Sequence, residues 1–205
     1  MRPAHATQKA SLSQELEAWL AGSEERTLGG FVDSFGHKSF ALLLVVLLGV
    51  AALPVPTAGA GHVCAFLAVL LGLQLIAGRE QVWLPSSWRR RELAALRHQR
   101  FTAALLGLIR RLERRARPRF GFLFGRRLSD VVFGLLVIGG SAAAFVAPPF
   151  TGLDTLPSLG VLIVSLGVLF EDPGIVSAGA AIGIIGVAVE FLLGAVAVHS
   201  LATLV

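Results

Sequence analysis

Charge is scarce in this chain and is missing almost entirely from two long stretches. Only 15% of the 205 residues are charged, whereas soluble domains usually carry about 25%. Residues 39–78 contain no Asp, Glu, Lys or Arg, and residues 131–170 contain only Asp154. Both stretches exceed the roughly 20 apolar residues that cross a bilayer. The composition excludes a soluble globular domain and predicts an all-α integral membrane protein.

Cysteine and the common catalytic motifs are also lacking. Cys64 is the sole cysteine, so the chain has neither a disulfide framework nor a cysteine-based metal site. The histidines show no ligand spacing, and the sequence contains no HExxH, CxxC or Walker motif. We therefore expect no metal, no cofactor and no enzymatic activity.

Five apolar runs account for most of the chain, and proline interrupts them at two places. The runs cover residues 39–53, 62–78, 131–147, 156–170 and 175–205. The first interruption contains Pro54 and Pro56, and the second contains Pro148 and Pro149. Proline breaks a helix because it lacks an N–H donor and clashes with the preceding turn. The first two runs span only about 22–25 Å each, so two alternatives stay open: a turn at the far membrane surface, or a re-entrant hairpin inside the membrane.

The two interruptions resemble each other, which predicts an internal repeat of two proline-broken hairpins. LPVPTAG at 53–59 corresponds to APPFTGL at 147–153, with Thr57 opposite Thr151. Interrupted hydrophobic segments at matching positions point to a transporter site at the membrane midplane. Ordinary hairpin turns are the alternative interpretation. The sequence leaves open whether the copies are parallel or inverted.

A strongly basic segment separates the two hairpins. Residues 79–127 contain fourteen Arg and three acidic residues, a net charge of +11. An approximate apolar stripe predicts a basic amphipathic helix on anionic headgroups; it consists of Leu93, Leu96, Phe101, Ala104, Leu105, Leu108 and Leu112. The positive-inside rule places this segment in the cytoplasm. Because this basic segment lies between two membrane hairpins, we expect lipid and not nucleic acid as its partner. The residues expected to contact lipid headgroups are Arg79, Arg110, Arg111, Arg114 and Arg117.

A short amphipathic helix is predicted near the N-terminus. Leu12, Leu16 and Trp19 share one face, Ser11 and Gln14 fit a capping box, and Gly22 follows as a stop. This helix is expected on the membrane surface or against the rest of the protein. The predicted organisation has four segments: a polar N-terminus at 1–38, a first hairpin at 39–78, an Arg-rich linker at 79–130, and a second hairpin with a C-terminal transmembrane helix at 131–205.

Several polar residues inside or beside the apolar runs are candidates for a ligand or proton site. Glu190 is the strongest candidate, because burying an uncompensated carboxylate in a membrane costs ~2.5 kcal/mol or more in free energy. The alternative is that Glu190 lies near the end of its helix, at the membrane interface. Helix capping competes with a ligand role for Asp154, and ordinary packing competes with it for His62. The other candidates are Thr57, Thr151 and Gln74. The alternative role is helix capping for the two threonines and an interhelical hydrogen bond for Gln74.

Glycines at helical spacing indicate a close-packed helix face. Gly179 and Gly183 form a GxxxG pair in the last apolar run. Such a pair lets another helix approach closely. The partner is either a neighbouring helix or a second copy of the chain, and the sequence leaves both open.

The order of these features resembles the ExoD family of bacterial exopolysaccharide synthesis proteins. The likeness extends from about Ser11 through ALPVPTAG at 52–59, LGLQLIAGREQVWLP at 71–85, RRLERRARPRF at 110–120, and PPFTGLDTLPSLGVLIVSLGVLFEDPGIV at 148–176. The resemblance implies a multi-pass bacterial inner-membrane protein linked to exopolysaccharide production. It implies no reaction mechanism and no catalytic residues.

Two functional hypotheses follow. The first is a small transporter or lipid-carrier flippase-like protein with a midplane site at the proline breaks. The second is a non-transporting scaffold or regulator of the polysaccharide machinery. The expected partners are anionic lipid headgroups, polysaccharide synthesis proteins or a lipid-linked phosphate, with a homo-oligomer left open.

Overall fold

The computed structural model describes residues 11–22, 27–52, 59–92, 99–114, 127–148 and 151–202. Within these ranges all regular structure is helical, apart from one isolated bridge between Thr27 and Glu92. This confirms the predicted all-α class. In chain order the helices are α1 (Leu12–Ala21), α2 (Leu28–Phe35), α3 (Lys38–Ala51), α4 (Ala60–Ile76), α5 (Ser86–Arg89), α6 (Gln99–Glu113), α7 (Arg127–Val146), α8 (Thr155–Leu169) and α9 (Pro173–Ala202).

The first helix begins and ends as its sequence predicts. Ser11 Oγ accepts from the backbone N–H of Gln14 at 3.4 Å, and the Ser11 N–H donates to Gln14 Oε1 at 3.1 Å. These two bonds satisfy backbone N–H groups at the start of the helix that have no partner within it, as a capping box does. Gly22 follows the last helical residue. The predicted N-terminal amphipathic helix is therefore confirmed.

Helix α3 lies at the centre of a helical bundle. The eight consecutive residues 39–46 are all buried, as expected for a helix that is apolar on every face. Helix α3 packs against α4 and α8, α4 packs against α7, and α7 packs against α8. Helix α9 covers the outside of α8 and touches α7. The central position of α3 explains why its sequence carries no polar stripe.

Contacts at the helix ends define two ends of this bundle. At the arginine end, where α3, α7 and α9 begin, His37 Nε2 lies 3.7 Å from Asp130 Oδ1, and Arg127 donates to the carbonyl of Ile76 at 3.3 Å. At the proline end, where α4 and α8 begin, His62 Nε2 donates to the carbonyl of Ala147 at 3.0 Å. The described residues that flank the two proline breaks therefore lie at the same end.

Glycines allow α8 and α9 to pack backbone to backbone. A Cβ on Gly179 would lie 2.5 Å from the backbone nitrogen of Val164, and a Cβ on Gly160 would lie 2.5 Å from that of Gly183. Both distances are far too short for a methyl group. The partner of the predicted GxxxG face is therefore the neighbouring helix α8, within the same chain.

Two helices are long and apolar enough to cross a membrane: α7 and the segment Pro173–Val196 of α9. Only 11% of the apolar α9 window is buried inside the protein. Its large exposed side chains are Ile184, Ile185, Phe191, Leu192, Leu193 and Val196. An apolar surface of this kind is suited to lipid and not to water. The two spans indicate a membrane protein.

A surface layer formed by α1, α2, α5 and α6 adjoins the arginine end. Leu105 and Ile109 of α6 are buried in the same core as Leu12 and Leu16 of α1. By contrast, Leu108 and Ala104 of the predicted apolar stripe are exposed. Protein therefore covers one part of the apolar face of α6, and contact of this helix with anionic headgroups stays a prediction.

Hydrogen bonds and ion pairs tie α1 to its neighbours. The backbone N–H and the hydroxyl of Ser13 donate to the carboxylate of Glu113 at 3.0 and 2.6 Å. Arg110 pairs with Glu17. On the side facing the bundle, Lys38 Nζ lies 3.4 Å from Glu15 Oε2. These contacts connect the surface layer to the start of α3.

Candidate functional site

His62 joins two helices at the proline end. Its Nε2 donates to the carbonyl of Ala147, and its ring centroid lies 6.1 Å from that of Phe145. Ala147 follows the last residue of α7, so its carbonyl lacks an intrahelical partner and gains one from His62. The side chain therefore has a structural contact that links α4 to the end of α7.

Asp154 and Glu190 approach each other near the same end. Asp154 occupies the residue before α8 but makes no side-chain cap hydrogen bond. Glu190 is half-buried, and its Oε2 atom is buried without a hydrogen-bond partner among the described residues. The carboxyl group of Glu190 lies within electrostatic range of Asp154.

An open groove of about 960 Å³ runs past Glu190 between α7 and α9. Its wall consists mostly of small or apolar residues, including Gly139, Ala142, Ala143 and Gly194. Among the described residues that line this groove, Glu190 is the one with an ionisable side chain. The groove exists because α7 and α9 both pack on α8 but make few contacts with each other.

The position of Glu190 along α9 indicates that this residue lies near a membrane surface. Glu190 is 17 residues beyond Pro173, which corresponds to about 26 Å along the helix. The hydrocarbon core of a bilayer is about 30 Å thick. If Pro173 lies at one membrane surface, Glu190 lies close to the other. This geometry agrees with the interface alternative for Glu190 better than with a midplane position.

The remaining polar candidates make local contacts. Thr151 Oγ1 donates to the carbonyl of Pro148 at 2.7 Å and accepts from the Leu153 N–H at 3.4 Å, within the turn before α8. Gln74 accepts from the Trp83 N–H at 2.7 Å and donates to the Trp83 carbonyl at 3.3 Å. The partner of Gln74 is therefore the chain just after α4 and not a second helix. The predicted positions Pro54, Pro56, Thr57, Pro149 and Arg117 lie outside the described residues.

The described arginines differ in their surroundings. Arg110 pairs with Glu17 of α1. Arg100 and Arg111 of α6 are exposed, as are Arg114 just after this helix and Arg79 just after α4. Because α1 packs on the side of α6 that carries Leu105 and Ile109, the exposed arginines form a separate, outward surface. We call Arg100, Arg111 and Arg114 the arginine face.

Comparison with known proteins identifies the family of the chain. The family model described as "Exopolysaccharide synthesis, ExoD" matches residues 12–192. The chain belongs to the ExoD family. This ExoD-family protein is 34% identical over 172 residues to the uncharacterized protein slr1875 of Synechocystis sp., covering 82% of this chain and 79% of that one. It is 28% identical over 172 residues to Protein ExoD of Rhizobium meliloti, covering 82% and 71%. No solved structure matches it.

Charged residues at the arginine end of this ExoD-family protein are absent from the sequence-based candidates. His37, Lys38, Asp130 and Glu171 line the mouth of a second cavity there. In the sequence these residues stand at the ends of separate apolar runs, where charge is expected at any membrane boundary. Predicting that these residues lie close together would have required knowing that α3 and α7 begin at the same end of the bundle.

Proposed function

We propose that this ExoD-family protein serves exopolysaccharide synthesis as a scaffold of the bacterial inner membrane, with its arginine end in the cytoplasm. The observation that carries this proposal is the arginine face of α6. Its three cations are exposed, while Leu105 and Ile109 on the other side of the helix anchor it to the protein. A basic surface fixed in this way is suited to holding anionic groups of the synthesis machinery against the membrane. The proposed role involves no catalytic step.

The interior of the bundle also favours a scaffold. Helix α3 fills the centre, and residues 39–46 are buried by the surrounding helices. The residues flanking both breaks lie at the proline end, beside the last turn of α7. With 20 residues, α7 is about 30 Å long, the thickness of the hydrocarbon core. This arrangement supports turns near the far membrane surface over a re-entrant site.

A triple substitution tests the scaffold. Changing Arg100, Arg111 and Arg114 to Gln is expected to reduce both exopolysaccharide output and the recovery of synthesis proteins after crosslinking in cells. The matched control changes the same residues to Lys, which preserves the charge, and is expected to retain recovery. Equal recovery with the Gln variant and the wild type would refute this role.

Cysteine labelling tests the proposed topology. In a Cys64→Ser background, Ala60→Cys and Thr151→Cys are expected to react with a membrane-impermeant thiol reagent from the periplasmic side. Ser86→Cys is expected to react from the cytoplasmic side. Protection of both proline-end positions from both sides would instead place the turns inside the membrane.

A transporter or flippase-like role is the second candidate, and one observation favours it. Among the described residues, one carboxyl oxygen of Glu190 is buried without a hydrogen-bond partner, beside the groove between α7 and α9. The test uses Glu190→Gln and Asp154→Asn, with the exposed Glu80→Gln as a control. A transport role requires a loss of polysaccharide output in the first two variants. Full output in both would eliminate a charge relay.

A further inference from the structure

The arginine end contains a cavity that the proposed scaffold does not use. Its volume is about 430 Å³. Its walls come from α3, α4, α7, α8 and α9, and are largely apolar, with Phe40, Leu75, Phe133, Leu136, Val164 and Val168 among them. Ligand sites span about 300–1,000 Å³. The volume of this open cavity falls within that range.

The mouth of this cavity carries charges of both signs. His37 and Lys38 stand at the start of α3, where the helix dipole adds partial positive charge. Asp130 lies in the first turn of α7, and Glu171 lies in the turn between α8 and α9. His37 Nε2 and Asp130 Oδ1 are 3.7 Å apart. His37 and Lys38, which also pairs with Glu15, thus stand next to two carboxylates above an apolar interior.

The cavity also borders the outer, lipid-facing surface of the bundle. Leu128 and Val132 contribute to its lining, yet they are 73% and 48% exposed. Both residues belong to α7, one of the two helices long enough to cross a membrane. A molecule in the surrounding bilayer therefore reaches the cavity from the side, between apolar side chains. An apolar interior of this kind binds hydrocarbon in preference to water.

We propose that the arginine-end cavity binds a zwitterionic phospholipid, with one acyl chain against the exposed side chains of Leu128 and Val132. The phosphate would face His37 and Lys38, and the amine would face Asp130 and Glu171. The charge complementarity argues for this occupant over a purely anionic lipid. Two carboxylates at the mouth repel a headgroup that carries only negative charge, whereas an ammonium group pairs with them.

Native mass spectrometry of the detergent-solubilised full chain tests this site. The probes are palmitoyl-oleoyl phosphatidylethanolamine, phosphatidylglycerol with the same chains, and polyprenyl phosphate. The wild type is expected to bind one phosphatidylethanolamine about tenfold more tightly than either anionic lipid, which corresponds to about 1.4 kcal/mol. Equal or tighter binding of phosphatidylglycerol or polyprenyl phosphate would overturn the headgroup assignment.

Two Trp substitutions locate the bound lipid. Val168→Trp fills the cavity and is expected to abolish the phosphatidylethanolamine adduct. The matched control, Val63→Trp, places the same side chain on the outer face of α4, where Val63 is 58% exposed, and is expected to retain the adduct. Equal binding by the two variants would refute the cavity as the site.

A charge variant keeps the proposal testable if Val168→Trp fails to fold. Asp130→Asn combined with Glu171→Gln changes only the mouth, and is expected to bind both phospholipids about equally, a loss of about tenfold in preference. Glu80→Gln, an exposed carboxylate outside the cavity, is expected to keep the preference. An unchanged preference in the double variant would overturn the proposal. These residues are distinct from the arginine face, so the scaffold and the lipid site can fail separately.

Discussion

Alanine at Gly160 is expected to weaken the packing of α8 against α9. The added Cβ would lie 2.5 Å from the backbone nitrogen of Gly183, whereas ordinary contacts begin at 3.4 Å. The two helices must therefore separate by about 1 Å, and such a gap forfeits roughly a quarter to a half of each dispersion contact. Because the obstacle is backbone and not a flexible side chain, we expect a loss of about 1–3 kcal/mol in the free energy of unfolding.

The assay is reversible unfolding in mixed micelles with increasing sodium dodecyl sulfate, followed by far-ultraviolet circular dichroism. Two control variants lie on α9. Gly183→Ala places its Cβ 3.6 Å from the nearest atom, and Gly194→Ala has no atom within 4 Å. Both are expected to be neutral or to stabilise by up to about 0.5–1 kcal/mol, because alanine loses less backbone entropy than glycine. If Gly160→Ala were as stable as these two controls, the close approach of α8 and α9 would be refuted.

Three further substitutions test individual hydrogen bonds. Ser13→Ala removes a bond to the charged Glu113 carboxylate and should cost about 1.5–3 kcal/mol, measured as faster limited proteolysis near α1. Gln74→Leu removes two bonds to the Trp83 backbone and should lower the unfolding free energy by about 1–3 kcal/mol, measured in the micelle assay. His62→Phe removes the bond to the free end of α7 and should cost about 1 kcal/mol in the same assay.

Each of these substitutions has an exposed control of similar chemistry. Ser34→Ala, Gln81→Leu and Val63→Phe alter exposed side chains, and changes there should stay within about 0.5 kcal/mol. A Ser13→Ala protein as protease-resistant as Ser34→Ala would contradict the docking of α1 on α6. For Gln74→Leu and His62→Phe, stability equal to that of the control would show that the bond contributes nothing.

Local sequence signals predicted most of the helices. Ser11 and Gln14 form the predicted capping box, because a cap depends only on residues within one turn. At the turn between α8 and α9, Asp172 Oδ1 accepts from the Gly174 and Ile175 N–H groups at 2.9 and 3.3 Å. These bonds likewise join residues within three positions. The predicted runs and the observed helices differ by a few residues; for example, α7 begins at Arg127 and not at residue 131.

The orientation of α6 was predicted less well. The predicted apolar stripe does not contain Ile109, yet Ile109 is fully buried, while Leu108 of the stripe is 37% exposed. The stripe indicates the apolar side of α6, but it does not specify which residues on that side a neighbouring helix covers. Packing on α1 made the choice, since Leu12 and Leu16 cover one face and Glu113 bonds Ser13.

The amino-acid sequence by itself determined the all-helical class, the location of the apolar segments and the start of α1, because periodicity, proline breaks and caps act over a few residues. The tertiary structure decided which residues meet. It placed the described residues that flank both breaks at one end, paired the glycines of α9 with α8, and brought His37 next to Asp130 across 93 positions of sequence. Contacts between distant segments depend on how whole helices pack, and local sequence patterns do not encode that arrangement.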